Sequence, residues 1–184
     1  MSENNQILNL LQSKSSTKQE VFRTTFTAFK KLTKTLEKKS TELSKVMNEK
    51  DKFVEIGFHK KGDFESHINF SGDRLIFHMH TNVFDFPNNH SIQKTSYIKA
   101  DSLRSFCGVI HVYNFLNDSF KYNRLNDVGL LVARIFINKD NHFLVEGENQ
   151  LGFLYNDFPN QELNDDYIES IVDQSMIFAL NFDL

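Results

Sequence analysis

The sequence predicts an α+β protein: a long N-terminal helix, an antiparallel meander sheet of about seven strands, barrel-like if it closes, and a C-terminal helix. Three observations carry this. Residues 16–50 contain neither Pro nor Gly and repeat their apolar side chains at helical spacing. From residue 53 the apolar period switches to two, punctuated by Gly and Asn turns. Beyond residue 161 a helical stripe returns. The expected organisation is a polar arm over 1–16 followed by one domain over 17–184, within it a helix over 17–50, a sheet over 53–147 and a helix over 161–181.

In the first helix Phe22, Phe26, Phe29, Leu36, Leu43 and Met47 form a heptad seam, with Thr33 and Ser40 at its weak positions. Ser16 or Thr17 with Glu20 offers a capping box. About 34 helical residues span roughly 50 Å, more than a compact sheet covers, so the seam is expected to project or to pair with another copy. Upstream, Ile7, Leu8, Leu10 and Leu11 are the apolar cluster of an otherwise polar arm.

The sheet is expected to open with strands over 53–60, 64–70 and 73–80. Lys60-Lys61-Gly62 serves as a three-residue loop and Ser71-Gly72 as a two-residue hairpin turn. These loops set Phe58 opposite Phe64 and Phe64 opposite Met79, which puts every apolar face on one side. Segment 81–104 is irregular. Further strands are expected at 106–116, 119–125, 128–137 and 142–147, the apolar run Leu130–Ile137 being a central strand covered on both sides. In the last helix, Asn164 with Tyr167 and the acids Asp165, Asp166 and Glu169 suit an N-terminus.

Composition narrows the function classes. One cysteine, Cys107, excludes an intrachain disulfide and a Cys-based zinc cage, and suits a reducing compartment. The polar start lacks a signal core, and no apolar run approaches the roughly 20 residues of a bilayer span. A cytoplasmic protein without a membrane segment is expected. The net charge of −3 hides an asymmetry: residues 1–52 carry eleven Lys/Arg against six Asp/Glu, while residues 140–184 carry ten acids and no Lys or Arg. Such ends attract one another or a partner. Nucleic acid is not expected as that partner, because acids dilute the basic segment and the acidic end repels phosphate.

One constellation is a candidate for chemistry. The hairpin registers place Glu55 against His67, His59 against Asp63, Asp63 against His80, and Glu65 against His78 on the polar face. His59, Asp63, Glu65, His78 and His80 are therefore the candidate ligands for a divalent metal, zinc or iron, since imidazole and carboxylate suit either ion. The competing expectation is a solvated sheet face, which fills alternate positions with just these residues. In addition, Gly72, then His78-Met79-His80, then Asp85 resembles the first metal-binding motif of the cupin family, which has Glu where Asp85 stands. The resemblance covers about 14 residues. The family's second motif, with Pro, Gly, a third His and Asn, has no counterpart here.

Cys107 falls in the alternation Cys107, Val109, His111, Tyr113, Phe115 and reads as a small buried side chain. His90 and His142 are expected in solvent-facing turns, and Phe120, Tyr122 and Tyr113 as a cross-strand packing group. No phosphate loop, dinucleotide fingerprint or hydrolase motif is present. The leading expectation is a non-enzymatic binding or assembly protein, a homo-oligomer or complex subunit joined through the long helix. The alternative is a small metal-dependent enzyme or metal-binding protein on the His/carboxylate face.

Overall fold

The computed structural model describes residues 2–182 and has the expected α+β architecture. Helix α1 (Glu3–Leu10) runs through a wider π-helical turn at Leu11–Ser15 into α2 (Ser16–Lys50). Ser16 therefore caps nothing: it lies inside a continuous helix, and its hydroxyl donates to the Leu11 carbonyl at 3.2 Å. The expected capping box gives way because no residue here breaks the helical dihedrals.

Strands β1 (Ile56–Lys61), β2 (Glu65–Phe70) and β3 (Asp73–Met79) form the meander. Next come β4 (Phe84–Asp85), α3 (Ser96–Ala100), β5 (Phe106–Leu116), α4 (Asn117–Lys121), β6 (Leu130–Asn138), β7 (Phe143–Gly147), α5 (Gln150–Leu154) and α6 (Asp165–Asn181). All pairings are antiparallel, in the order β1-β2-β3-β5-β6-β7, with β4 added to β5. The sheet is open, not a barrel.

The Ser71-Gly72 hairpin forms as expected, with Phe70 paired to Asp73 and Ser71 in the left-handed region at φ 55°. The first hairpin differs. Strand β1 runs on to Lys61, and Gly62 (φ 69°) opens the turn instead of closing it. His59 consequently lies opposite His67, and Phe58 opposite Ile68. An even shift preserves the faces, so the apolar side is the one expected although the partners are not. The expected strand at 119–125 is instead α4 followed by a turn, and the C-terminal helix begins at Asp165, capped by Asn164, whose side chain accepts the Tyr167 amide at 2.8 Å. Strand β6 is interior as expected, paired with β5 and β7 although one strand from the edge, but its second face is not fully covered, since Arg134 is exposed.

The seam of α2 is spent within the chain. Phe29 and Leu36 are buried, and Phe22 and Phe26 pack on Phe64 with ring centroids 6.1 and 5.5 Å away. The buried stripe of α2 is Thr17, Val21, Thr25, Ala28, Phe29, Leu32, Leu36 and Ser40, the spacing of one helix face laid on a sheet. It meets Ile68, Phe77, Ile110, Ile135 and Val145 from the sheet and Ile171, Val172 and Met176 from α6. Helices α2 and α6 run side by side in the same direction: Lys31 pairs with Asp165 at 2.8 Å, and Lys39 with Glu169 at 3.2 Å and Asp173 at 2.7 Å. The charge asymmetry of the sequence is thus partly neutralised inside the chain. No helix among the described residues is long and apolar enough to cross a membrane.

Candidate functional site

The face of the sheet turned away from α2 carries the polar alternates. Glu65, His67 and Asn69 stand on β2, Arg74, Ile76 and His78 on β3, His111 and Tyr113 on β5, Arg134 and Phe136 on β6, and Leu144 and Glu146 on β7. Both ends of this face are covered, so it is not the uniformly solvated surface expected. At one end α4 lays Phe120 edge-on to His67 (5.8 Å) with the Arg74 guanidinium 4.8 Å from the same ring. At the other, the segment after β4 and the loop after α5 bring Phe86, Ile92, Ile98 and Phe158 onto Cys107 and Leu144.

The five predicted ligands are dispersed. Glu65 does lie opposite His78. Its Oε1, however, accepts from His67 Nε2 at 2.8 Å and from Lys61 Nζ at 3.3 Å. Burial pushes the Glu65 carboxyl up, but His67 and Lys61 hold it below its usual range; burial pushes the His67 imidazole down despite Glu65. The pair is therefore a neutral imidazole donating to a carboxylate. His59 Nε2 bonds Asn69 Oδ1 at 3.0 Å, and exposed Asp63 pairs with Lys60 Nζ at 3.6 Å. His80 lies past the end of β3, where its Nδ1 accepts the Asn82 amide at 3.0 Å. Among the described residues no three His, Cys, Asp or Glu side chains are gathered to hold a metal ion.

The histidine that sequence reasoning did not join to this group is His111. It sits directly opposite His78, and its ring centroid is 6.3 Å from that of His80. Burial, then Arg134, His78 and His80, push its pKa down to about 4, so it is a neutral ring at pH 7. The missing signal is the β3–β5 pairing, which a 26-residue connection does not reveal.

A cavity of about 350 Å³ adjoins His111, lined by Phe84, Phe86, Val109, Phe136, Arg134 and Glu146 among others. Cys107, wholly buried as expected, has its thiol pushed well up by burial and then by Asp85, and offers no nucleophile. His90 and His142 do not simply face solvent. His90 Nδ1 accepts the Ile92 amide at 3.4 Å, while His142 stacks on Tyr97 (4.6 Å) and its Nδ1 bonds the Phe158 carbonyl at 3.0 Å. Phe120 and Tyr122 lie on or just after α4 and not across a strand pair; Phe120 packs edge-on to Phe115 at 5.6 Å and Tyr122 is 58% exposed.

A second surface stands out at the N-terminal end. No side chain of α1 or of the turn 11–15 is buried, yet Ile7, Leu8, Leu10 and Leu11 share one side of the helix at 47–53% exposure. Thirteen helical residues carry this arm about 20 Å beyond Ser16.

Compared with protein-family models, curated proteins and solved structures, the chain has no match. The cupin-like spacing of Gly72, His78, His80 and Asp85 accordingly rests on that stretch alone, and it lies on a sheet that does not close.

Proposed function

We propose that the protein is a non-enzymatic assembly protein that joins a second copy of itself through the helical arm 3–15. The observation that carries this reading is the row of four half-exposed aliphatics on a helix with nothing buried. The arm is the free end of a helix that is packed only from Thr17 onward. The first half of the α2 seam is filled by the chain's own sheet, with Phe29 and Leu36 buried, so the arm is the apolar row left uncovered at that end of the helix. Arm-to-arm contact makes a closed twofold pair, whereas an arm seated elsewhere on the next copy makes an open chain of subunits.

The arm carries a single acid, Glu3, and a single base, Lys14, so the contact is apolar and insensitive to salt. Light scattering coupled to size exclusion tests this. The expected result is a dimer mass that persists at high salt, and a monomer for the Ile7→Glu, Leu11→Glu double variant with an unchanged melting temperature. A wild-type chain that stays monomeric at every concentration overturns it.

A further inference from the structure

We propose that the cavity between β4 and strands β5, β6 and β7 binds a purine base or nucleoside, guanine in preference to adenine. The cavity, about 350 Å³, falls within the range of small-molecule sites. Three rings line it: Phe86 and Phe136, packed on each other at 4.8 Å and 55°, and Phe84, which is 40% exposed. Such walls select a flat, apolar-faced molecule.

The polar groups decide which flat molecule. Glu146 presents Oε1 to His90 Nε2 at 3.6 Å and Oε2 to Arg134 at 3.9 Å, both longer than hydrogen bonds. The Glu146 carboxylate and the Arg134 guanidinium, 42% and 45% exposed, form a loose ion pair with each other, and neither makes a side-chain hydrogen bond among the described residues. The cavity thus shows a two-oxygen acceptor and a planar donor fork side by side, above a neutral His111 ring.

An anion entering here meets Glu146 and Asp85, and a cation meets Arg134. A neutral ring with donors next to acceptors meets neither objection. Guanine has this pattern: its ring N–H and exocyclic amine donate to a carboxylate, while its carbonyl oxygen and N7 accept from an arginine. Adenine lacks the paired donors, and no cluster of Lys or Arg lines the cavity for a phosphate.

The test is calorimetric or ligand-observed NMR titration of the full chain with guanosine, adenosine, guanosine monophosphate and benzoate. The expected result is saturable guanosine binding with a Kd below about 1 mM, at least about tenfold tighter than adenosine, and no gain from the phosphate. Glu146→Gln turns one acceptor into a donor and is expected to weaken guanosine about tenfold or more without lowering the melting temperature. If that variant fails to fold, Arg134→Met provides the same readout. Absence of saturable guanosine binding, indifference to both substitutions, or tighter binding of benzoate overturns the proposal. None of these outcomes depends on whether the arm dimerises.

Discussion

Helix α2 passes close over Gly108 of β5, and adding one methyl group there measures how firmly α2 is seated. A Cβ at Gly108 would stand 2.2 Å from Thr25 Oγ1, 2.8 Å from Thr25 Cβ and 2.9 Å from Thr25 Cγ2. Thr25 cannot swing aside, because it is completely buried and its hydroxyl donates to the Val21 carbonyl at 2.8 Å. One of the three clashing atoms is rigidly attached to the helix backbone, so the helix itself must move. Overpacking of this kind costs about 1–3 kcal/mol, here near the upper end. Replacing a strand glycine returns about 0.5–1 kcal/mol of backbone entropy. Gly108→Ala is therefore expected to lose about 2 kcal/mol, a fall of about 4–8 °C in melting temperature for a chain of this size. Thermal and urea unfolding read it directly. Combining it with Thr25→Ala removes Oγ1 and Cγ2, and the double variant should recover about 1 kcal/mol relative to additivity. A Gly108→Ala protein as stable as the wild type would show that α2 does not rest on β5 at this point.

Two further predictions concern charge. Lys39 bridges Glu169 and Asp173; burial pulls its pKa down, but the two carboxylates more than offset this and hold it above its usual value. Lys39→Met leaves those acids facing one another on α6 and should cost about 1–2 kcal/mol in urea unfolding at pH 7; no loss would mean that the bridge contributes nothing. His111 titrates near 4 in the folded chain, against about 6.5 unfolded. The unfolded chain therefore takes up its proton first. The contribution of the neutral ring is complete above about pH 6.5 and fades as pH falls through about 4. Allowing for solvent at a partly exposed ring, the loss is about 1–2 kcal/mol. His111→Phe should flatten that part of the stability–pH curve, and an unchanged slope would refute the assignment.

The parts that were legible in the sequence are those set by local chemistry. Alternation decided which side chains of β2 and β3 face the core, and Ser71-Gly72 fixed their register residue by residue. Gly62 was recognised as left-handed, but a glycine can open or close a loop, and here it opens one. The faces survived that error because a displacement by an even number of residues leaves the pleat in phase; the partners of His59 did not. Asn117-Asp118-Ser119 has the composition of a turn and also of a helix start, and the short helix α4 prevailed. The neighbourhood of His111 depended on β3 meeting β5 across the irregular segment, a long-range pairing that no turn residue records. The partners of the candidate ligands were not legible for a related reason: Asn69, His67, Lys60 and the Asn82 amide engage His59, Glu65, Asp63 and His80, and no local pattern ranks such contacts against one another.

The side-by-side placement of α2 and α6 has a bearing on how the chain reaches its native state. The Lys31–Asp165 contact joins residues 134 positions apart, and Lys39–Glu169 joins residues 130 apart. Loops of that size close late and at high entropic cost, which predicts slow folding relative to a helical bundle of equal stability. During synthesis the first helix must wait for the strands before its apolar stripe is covered, and for α6 before the contact with Ile171, Val172 and Met176 is complete. Shielding in that interval, by a chaperone or by the ribosome itself, is the demand this topology places on the cell.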